Sequence, residues 1–299
     1  MAEELRAIAW ESRADAYSEN DWAEIAARLQ KEAINLLANR VVDIVIGYAR
    51  SWDGKRATPC FLTDPSQAIR LIFDENCTHN LAKFLVGPDG YLTAPYRLAK
   101  KRPRVALVAA PWVLRTVVGL IQEHQITRED VVLLGIVDGR PIGVEPDIRV
   151  GQVAPNVEQE AEVERRIQAL EEMPVIERWQ WWDEQFSKCI RCYACRQVCP
   201  FCYCEQCIAD ENQPQWIERS STTVNNRVWH TIRAFHLVGR CIGCGECERV
   251  CPVNIPLNLL NTKMRRETQE AFGYVAGTRV DVPPALFSFR VDDPDEFVR

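Results

Sequence analysis

Seven cysteines lie within one stretch of twenty residues, KCIRCYACRQVCPFCYCEQC, at positions 188–207. The first four follow the pattern C-x2-C-x2-C-x3-C and are succeeded by Pro200; they are Cys189, Cys192, Cys195 and Cys199. This spacing is typical of an iron–sulfur ligand run, because three cysteines three residues apart can wrap one side of a 4Fe-4S cube. The fourth thiolate of such a cube must come from elsewhere.

The same pattern recurs 52 residues later in CIGCGECERVCP, residues 241–252, with all four cysteines and the closing proline preserved. In two-cluster ferredoxins, the fourth cysteine of each run ligates the other cluster. The repeat therefore predicts two cubes with crossed ligands. Set one is Cys189, Cys192, Cys195 and Cys251, and set two is Cys241, Cys244, Cys247 and Cys199.

Zinc is the alternative metal for these cysteines, since two C-x2-C pairs also make a four-cysteine zinc site. Two complete copies of the longer pattern favour the cubes. A disulfide scaffold would be another use of 13 cysteines, but 11 of them fall within residues 189–251 at metal-ligand spacings. The pattern indicates metal sites in a reducing, anaerobic setting.

The last three cysteines of the first stretch, Cys202, Cys204 and Cys207, do not fit the cube spacing. A C-x-C-x2-C triplet can present three thiolates to one metal, so a third metal or cluster site is one interpretation. Its fourth ligand would be Cys60, Cys77, a histidine such as His230 or His236, or an exogenous group. The other interpretation is that all of these are structural thiols or core residues. The residues alone do not decide between the two.

Composition and charge describe a globular protein with a core, since 47% of the 299 residues are hydrophobic. The net charge of −6 excludes the concentrated basic face of a nucleic-acid-binding protein. The N-terminal residues lack the apolar segment of a secretory signal. The longest apolar run, residues 105–114, contains a proline and is shorter than the roughly 20 residues that span a bilayer. We expect a cytoplasmic location, with any membrane contact made through a partner subunit.

The elements that position these cysteines follow from hydrophobic periodicity. Residues 21–39 have apolar side chains at helical intervals, and three short apolar runs, at 41–49, 104–110 and 130–137, are typical of buried strands. Helical stretches such as 111–124 separate the strands. The alternation predicts an α/β domain with a mainly parallel sheet over residues 1–155.

The rest of the chain is predicted to be mostly helical. Residues 156–188 form a charged helical connector with Pro174 in the first turn of its second helix. Residues 189–260 form the dicluster ferredoxin domain, whose two runs are joined by a helix within 221–239. Residues 261–299 are predicted to be a C-terminal helix and an extended, apolar tail, which either folds back on its own domain or grips a partner.

Two family resemblances accompany these patterns. The stretch AFHLVGRCIGCGECERVCP and the helical linker before it resemble the α-helical ferredoxin domains of heterodisulfide reductase C subunits and succinate dehydrogenase iron–sulfur subunits, over roughly residues 180–260. The stretches TPCFLTDP, DENCTHNLAKFLV and RVALVAAPWVLRTVVGLIQEHQITREDVVLLGIV are similar, in that order, to coenzyme F-420 hydrogenase and dehydrogenase beta subunits. Many of those relatives have cysteines where this chain has Trp112 and Asp138, so no cube is expected within the N-terminal domain alone.

The resemblances imply an iron–sulfur electron-transfer subunit of an anaerobic multi-subunit oxidoreductase. The implied partners are a heterodisulfide-reductase-like flavoprotein, a formate dehydrogenase or a hydrogenase. No catalytic residues are predicted, since the chain has no GxGxxG motif, no P-loop and no Ser-His-Asp arrangement. One alternative is a flavin-containing subunit that itself oxidises a reduced deazaflavin or nicotinamide, and the resemblance alone supports it. The glycine-containing loop at residues 137–143 could touch a flavin phosphate, but such loops are usually just turns. Another alternative is a non-catalytic iron–sulfur scaffold.

Overall fold

The computed structural model describes residues 19–93, 102–140, 143–154, 157–209, 211 and 213–285. The helices in these ranges are α1 (Glu19–Ala38), α2 (Pro111–Gln122), α3 (Val157–Glu172), α4 (Val175–Ser187), α5 (Ala194–Gln197), α6 (Thr223–His236), α7 (Glu246–Arg249) and α8 (Leu257–Phe272). The strands are β1 (Ile44–Arg50), β2 (Ala57–Leu62), β3 (Val105–Ala109), β4 (Val131–Val137) and β5 (Ile148–Gln152).

The strands form one sheet in the order β2-β1-β3-β4-β5. Three neighbouring pairs are parallel, and only the β1–β2 pair within this sheet is antiparallel. Every residue of the central strand β3 is buried, as expected of a parallel strand covered on both faces. The predicted α/β architecture with a mainly parallel sheet is confirmed.

Helices α1 and α2 pack closely against the sheet. Helix α1 packs with Leu29 and Ala33 fully buried. It lies so close to β5 that a Cβ added to Gly151 would stand 2.6 Å from Cγ1 of Ile25. Helix α2 begins at Pro111, two residues after β3, where the fixed φ of proline suits a first helical turn. This short connection places the start of α2 at the carboxyl edge of the sheet.

The remainder of the described chain is mostly helical, as predicted. Helix α4 begins directly after Pro174, and α6 is capped by Thr222, whose side chain accepts a hydrogen bond from the Asn225 amide. Helix α8 ends at Gly273, whose φ of 62° is the left-handed conformation common at helix ends. Of the predicted tail, residues 273–285 contain no helix or strand, and residues 286–299 lie outside the described residues.

The sheet shares its hydrophobic core with part of the cysteine region. Phe201, Leu237 and Ile242 are buried in the same cluster as the strand residues. The Phe201 ring rests against Gly119 of α2, where an added Cβ would come within 2.8 Å of it. No helix in the described ranges is both long enough and apolar enough to cross a bilayer.

Candidate metal centre

The two cysteine runs adopt the same backbone conformation. The one-turn helices α5 and α7 occupy equivalent places in the two copies, and each contains the third cysteine of its run, Cys195 or Cys247. Left-handed residues precede both helices at matching positions. They are Arg191 and Tyr193 in the first copy and Gly243 and Gly245 in the second. The sequence repeat is therefore also a structural repeat.

Set one surrounds a single cavity. All four of its cysteines line that cavity, together with apolar groups of Trp229, Ile255 and Leu257. Cys251 comes from the second run, yet its sulfur interacts electrostatically with Cys189 and Cys195 of the first. Cys251, the fourth cysteine of the second run, thus lies beside the first three cysteines of the first run.

Set two lies nearer the sheet. The Cys247 thiol interacts electrostatically with Cys241 and Cys244 of its own run. Cys199, from the first run, packs against the same core cluster as Cys241 and Cys244. Its side chain is hydrogen-bonded to that of Cys202. Cys199 therefore lies on the sheet side of the cysteine region, together with Cys241 and Cys244, two of its predicted partners in set two.

Several sulfur atoms accept hydrogen bonds from nitrogen. The backbone amide of Arg191 donates to Sγ of Cys189 at 3.4 Å, and Gly243 donates to Cys241 at the equivalent position, also at 3.4 Å. Sγ of Cys251 accepts from the Ile255 amide, and Sγ of Cys247 accepts from the Asn261 side chain, each at 3.4 Å. Such donors stabilise the negative charge of cluster thiolates. The donor set and its surroundings fit iron–sulfur cubes.

Burial keeps Cys195, Cys244 and Cys247 protonated when no metal is bound. It raises the pKa of Cys195 to about 11 and that of Cys244 to about 12. The pKa of Cys247 is also raised, chiefly by burial. Because a metal ligand must be a thiolate, cluster loading has to release these protons.

The residues of the predicted third site are dispersed. Cys202 packs towards the sheet, Cys207 contacts the helical core, and Cys204 is exposed. In the described part of the chain, no three His, Cys, Asp or Glu side chains converge on a point that could hold a single metal ion. Ligands of a cube need no such point, because each thiolate binds a different iron. The third site stays a prediction.

The two histidines considered as ligands differ in environment. His230 is buried on the wall of the set-one cavity, and burial lowers its pKa to about 3, so its ring is neutral. Its ring stacks on Phe186 with centroids 4.9 Å apart. His236 is exposed in the last turn of α6.

Cys60 and Cys77 are buried within the sheet region. Burial raises the pKa of Cys60 to about 11 and is the main cause that raises the pKa of Cys77. Because the thiolate is the reactive form, we expect both residues to resist iodoacetamide at neutral pH in the native protein. Peptide mass spectrometry measures the labelling. The same protein in denaturant, where both should react fully, is the control, and equally fast labelling in the two conditions would contradict the prediction.

A cavity of about 870 Å³ opens beside set two. One wall is the carboxyl edge of the parallel sheet, where Pro111, Asp138 and Val153 follow β3, β4 and β5. Another wall includes Cys244, whose thiol lies near the Asn80 side chain. In open α/β sheets this edge is where ligands bind. The cavity therefore lies at the edge of the sheet where ligands usually bind, and it is also lined by a cysteine of set two.

The cavity lining is rich in charged side chains. It contains five arginines, Arg56, Arg115, Arg140, Arg249 and Arg265, and four carboxylates, Glu75, Asp138, Glu160 and Glu164. Arg115 and Arg140 pair with Asp138, at 3.2 and 2.8 Å. Arg265 has no ion-pair partner among the described residues, and its guanidinium packs so closely on Gly243 that a Cβ there would lie 2.9 Å from Cζ. Trp112 and Asp138, where the resemblance predicts cysteines in other family members, both lie on the cavity wall.

Sequence reasoning missed most of this cavity. The arginines are scattered from position 56 to position 265, so no local motif joins them.

His79 also lies on the cavity wall. Its Nδ1 atom is 3.0 Å from Nη2 of Arg249, and its carbonyl accepts a hydrogen bond from the Tyr48 hydroxyl at 2.6 Å. The usable signal was the loop at 137–143, of which Asp138 and Arg140 line the cavity and residues 141–142 lie outside the described ranges.

Comparison with known proteins identifies the cysteine region. A family model described as a 4Fe-4S dicluster domain matches residues 185–255. The F420-dependent formate dehydrogenase subunit beta of Methanocaldococcus jannaschii is 33% identical over 114 residues, which are 38% of this chain and 29% of that protein. The F420-dependent formate dehydrogenase 1 subunit beta of Methanococcus maripaludis is 35% identical over 116 residues, which are 39% of this chain and 28% of that protein. The matched part thus spans less than a third of each relative. These matches confirm the predicted resemblance to F-420-linked beta subunits combined with a dicluster domain.

Proposed function

Because this chain is an iron–sulfur protein with a 4Fe-4S dicluster domain, we propose that it is an electron-transfer subunit of a formate dehydrogenase-like complex. Set one holds one cube and set two holds the other. The observation that carries the proposal is the cavity lined by all four cysteines of set one, with Cys251 supplied by the second run. Its proposed partners are other redox subunits, namely a heterodisulfide-reductase-like flavoprotein, a formate dehydrogenase or a hydrogenase.

The chain's own residues define the path of the electrons. Each cube, when bound, takes up and releases one electron at a time. The crossed cysteines Cys199 and Cys251 tie the two sets together and hold them close. Trp229, Ile255 and Leu257 cover set one with apolar surface, which excludes water and lowers the local dielectric. Cys192 is exposed, so set one lies at the surface where a partner can approach.

Iron and acid-labile sulfide content tests the proposal. Two cubes require about eight irons and about eight sulfides per chain. We expect these values for the anaerobically purified protein. About twelve of each would instead support a third cube that includes Cys202, Cys204 and Cys207, and zinc without sulfide would contradict the proposal.

A second candidate function is supported by the 870 Å³ cavity. In this case the chain is a flavin-containing subunit that itself oxidises a reduced deazaflavin or nicotinamide. The volume lies within the roughly 300–1,000 Å³ of small-molecule sites, and arginines such as Arg265 suit a phosphate-bearing cofactor. A flavin there would lie beside Cys244 and could pass electrons directly to set two.

Visible absorbance separates the two candidates. A bound flavin adds bands at about 370 and about 450 nm to the broad absorbance of the cubes, and acid releases it into solution. We expect such bands after incubation with FAD or FMN if the second candidate is right, and their loss in Arg265→Ala. A protein with about eight irons that retains neither flavin contradicts the second candidate and leaves the first.

We also infer that the chain works in a reducing compartment, in the cytoplasm or at a membrane through a partner. No disulfide joins any of the 13 cysteines, which supports this placement. The division into domains at 1–155, 156–188, 189–260 and 261–299 is likewise part of the proposal, and it is supported by the dicluster match over 185–255.

A further inference from the structure

Helix α6 carries a buried guanidinium, that of Arg233, into the space between the two cysteine sets. The residue is 6% exposed, and its Nη2 atom donates to the carbonyl of Cys195 at 2.8 Å. The guanidinium interacts electrostatically with four sulfur atoms, those of Cys195, Cys199, Cys202 and Cys247. Cys195 belongs to set one, whereas Cys199 and Cys247 belong to set two. One cation therefore faces both sets.

Once they ligate metal as thiolates, the sulfur atoms are the anions that compensate this buried charge. Arg233 makes no ion pair with a carboxylate in the described part of the chain, and its Nε atom is buried without a hydrogen-bond partner. Burial acts to lower the Arg233 pKa, but the four sulfur atoms raise it above the usual arginine value. A buried charge without compensation is strongly destabilising. Arg233 is thus placed to act with loaded, negatively charged cysteine sets.

We propose that the buried positive charge of Arg233 raises the reduction potentials of both cubes. This proposal rests on the assignment of two cubes to sets one and two. Reduction adds negative charge to a cube, and a fixed positive charge in a low-dielectric site stabilises the reduced form more than the oxidised form. Because the cation lies between the sets, its effect reaches both cubes.

Arg233→Met and Arg233→Lys test this proposal in the full chain. The readouts are iron content and the two one-electron steps of an EPR-monitored redox titration. Arg233→Met should keep about eight irons and shift both steps to more negative potentials, because the charge is gone. Arg233→Lys should keep the iron and both steps close to the wild-type values, because the charge remains. Arg227→Met is the matched control on the same helix, since Arg227 pairs with Asp183 at 2.7 Å. It should leave both steps unchanged.

The outcomes separate charge from packing. Unchanged potentials in an iron-loaded Arg233→Met protein, or a shift of only one step, would overturn the proposal. If Arg233→Met loses its iron, Arg233→Lys decides: retained iron supports a role for the charge, and lost iron shows that the arginine shape or its bond to Cys195 is what matters. A wild-type protein without about eight irons would refute the assignment of two cubes instead, so the two failures are distinguishable.

Discussion

Cys251→Ser is expected to remove the cube of the first cysteine run and to spare the cube of its own run. Cys251 lines one cavity with Cys189, Cys192 and Cys195, so its thiolate completes set one. A serine hydroxyl is a poor replacement for a thiolate on iron. The iron content should fall from about eight to about four per chain, and the remaining EPR signal should be that of a single cube.

Cys199→Ser is the matched control, because it removes the closing cysteine of the first run. It should damage the cube of set two while Cys251 still completes set one. Iron analysis and EPR on the two variants, prepared side by side, show which cube each of them loses. If each variant loses the cube of its own run, the crossed ligation is wrong.

Glu123→Ala is expected to destabilise the protein by about 3–5 kcal/mol, because it breaks a buried ion pair and leaves a cation without its anion. Glu123 lies at the end of α2, and its Oε1 atom accepts a hydrogen bond from Arg240 Nε at 2.6 Å. Its Oε2 atom accepts from the Tyr203 hydroxyl, also at 2.6 Å. Tyr203 lies shortly after the first cysteine run, and Arg240 directly precedes the second. One carboxylate of the sheet region therefore forms hydrogen bonds with residues next to both cysteine runs.

Anaerobic urea unfolding measures the loss of stability. The control is Glu145→Ala, which breaks an ion pair with Arg149 whose side chains are 72% and 63% exposed. Because solvent screens such a pair, that variant should lose less than about 1 kcal/mol. Equal losses in the two variants would show that Glu123 does not join the two parts of the protein.

The features that could be predicted from the sequence depend on local spacing. The two cysteine runs, the buried strands β3 and β4, and the helices α1 and α6 each have a strong pattern within one short stretch. The crossed assignment of the two sets is a prediction that the repeat allows through the ligand exchange of two-cluster ferredoxins.

The strands β2 and β5 were not predicted, since both are edge strands of the sheet. Their residues are only partly buried, and β2 contains Pro59, which an edge strand tolerates. Neither stretch therefore has the continuous apolar run of a central strand.

The arginine-lined cavity, the contacts of Glu123 and the burial of Arg233 could not be predicted for a different reason. Each depends on residues far apart in the chain; Arg240, for example, lies 117 positions after Glu123. An arginine in a helix is ordinarily a surface residue, so nothing near Arg233 in the sequence marks it as buried. Only the packing of α6 between the two cysteine runs reveals it.

EPR spectroscopy of the dithionite-reduced full chain tests most directly whether two cubes lie side by side with exchanged ligands. Two reduced cubes held together by Cys199 and Cys251 should interact magnetically. We predict a broadened, split spectrum that integrates to about two spins per chain, on protein that carries about eight irons. Two sharp and independent signals, or a single spin on four irons, would contradict the crossed assignment.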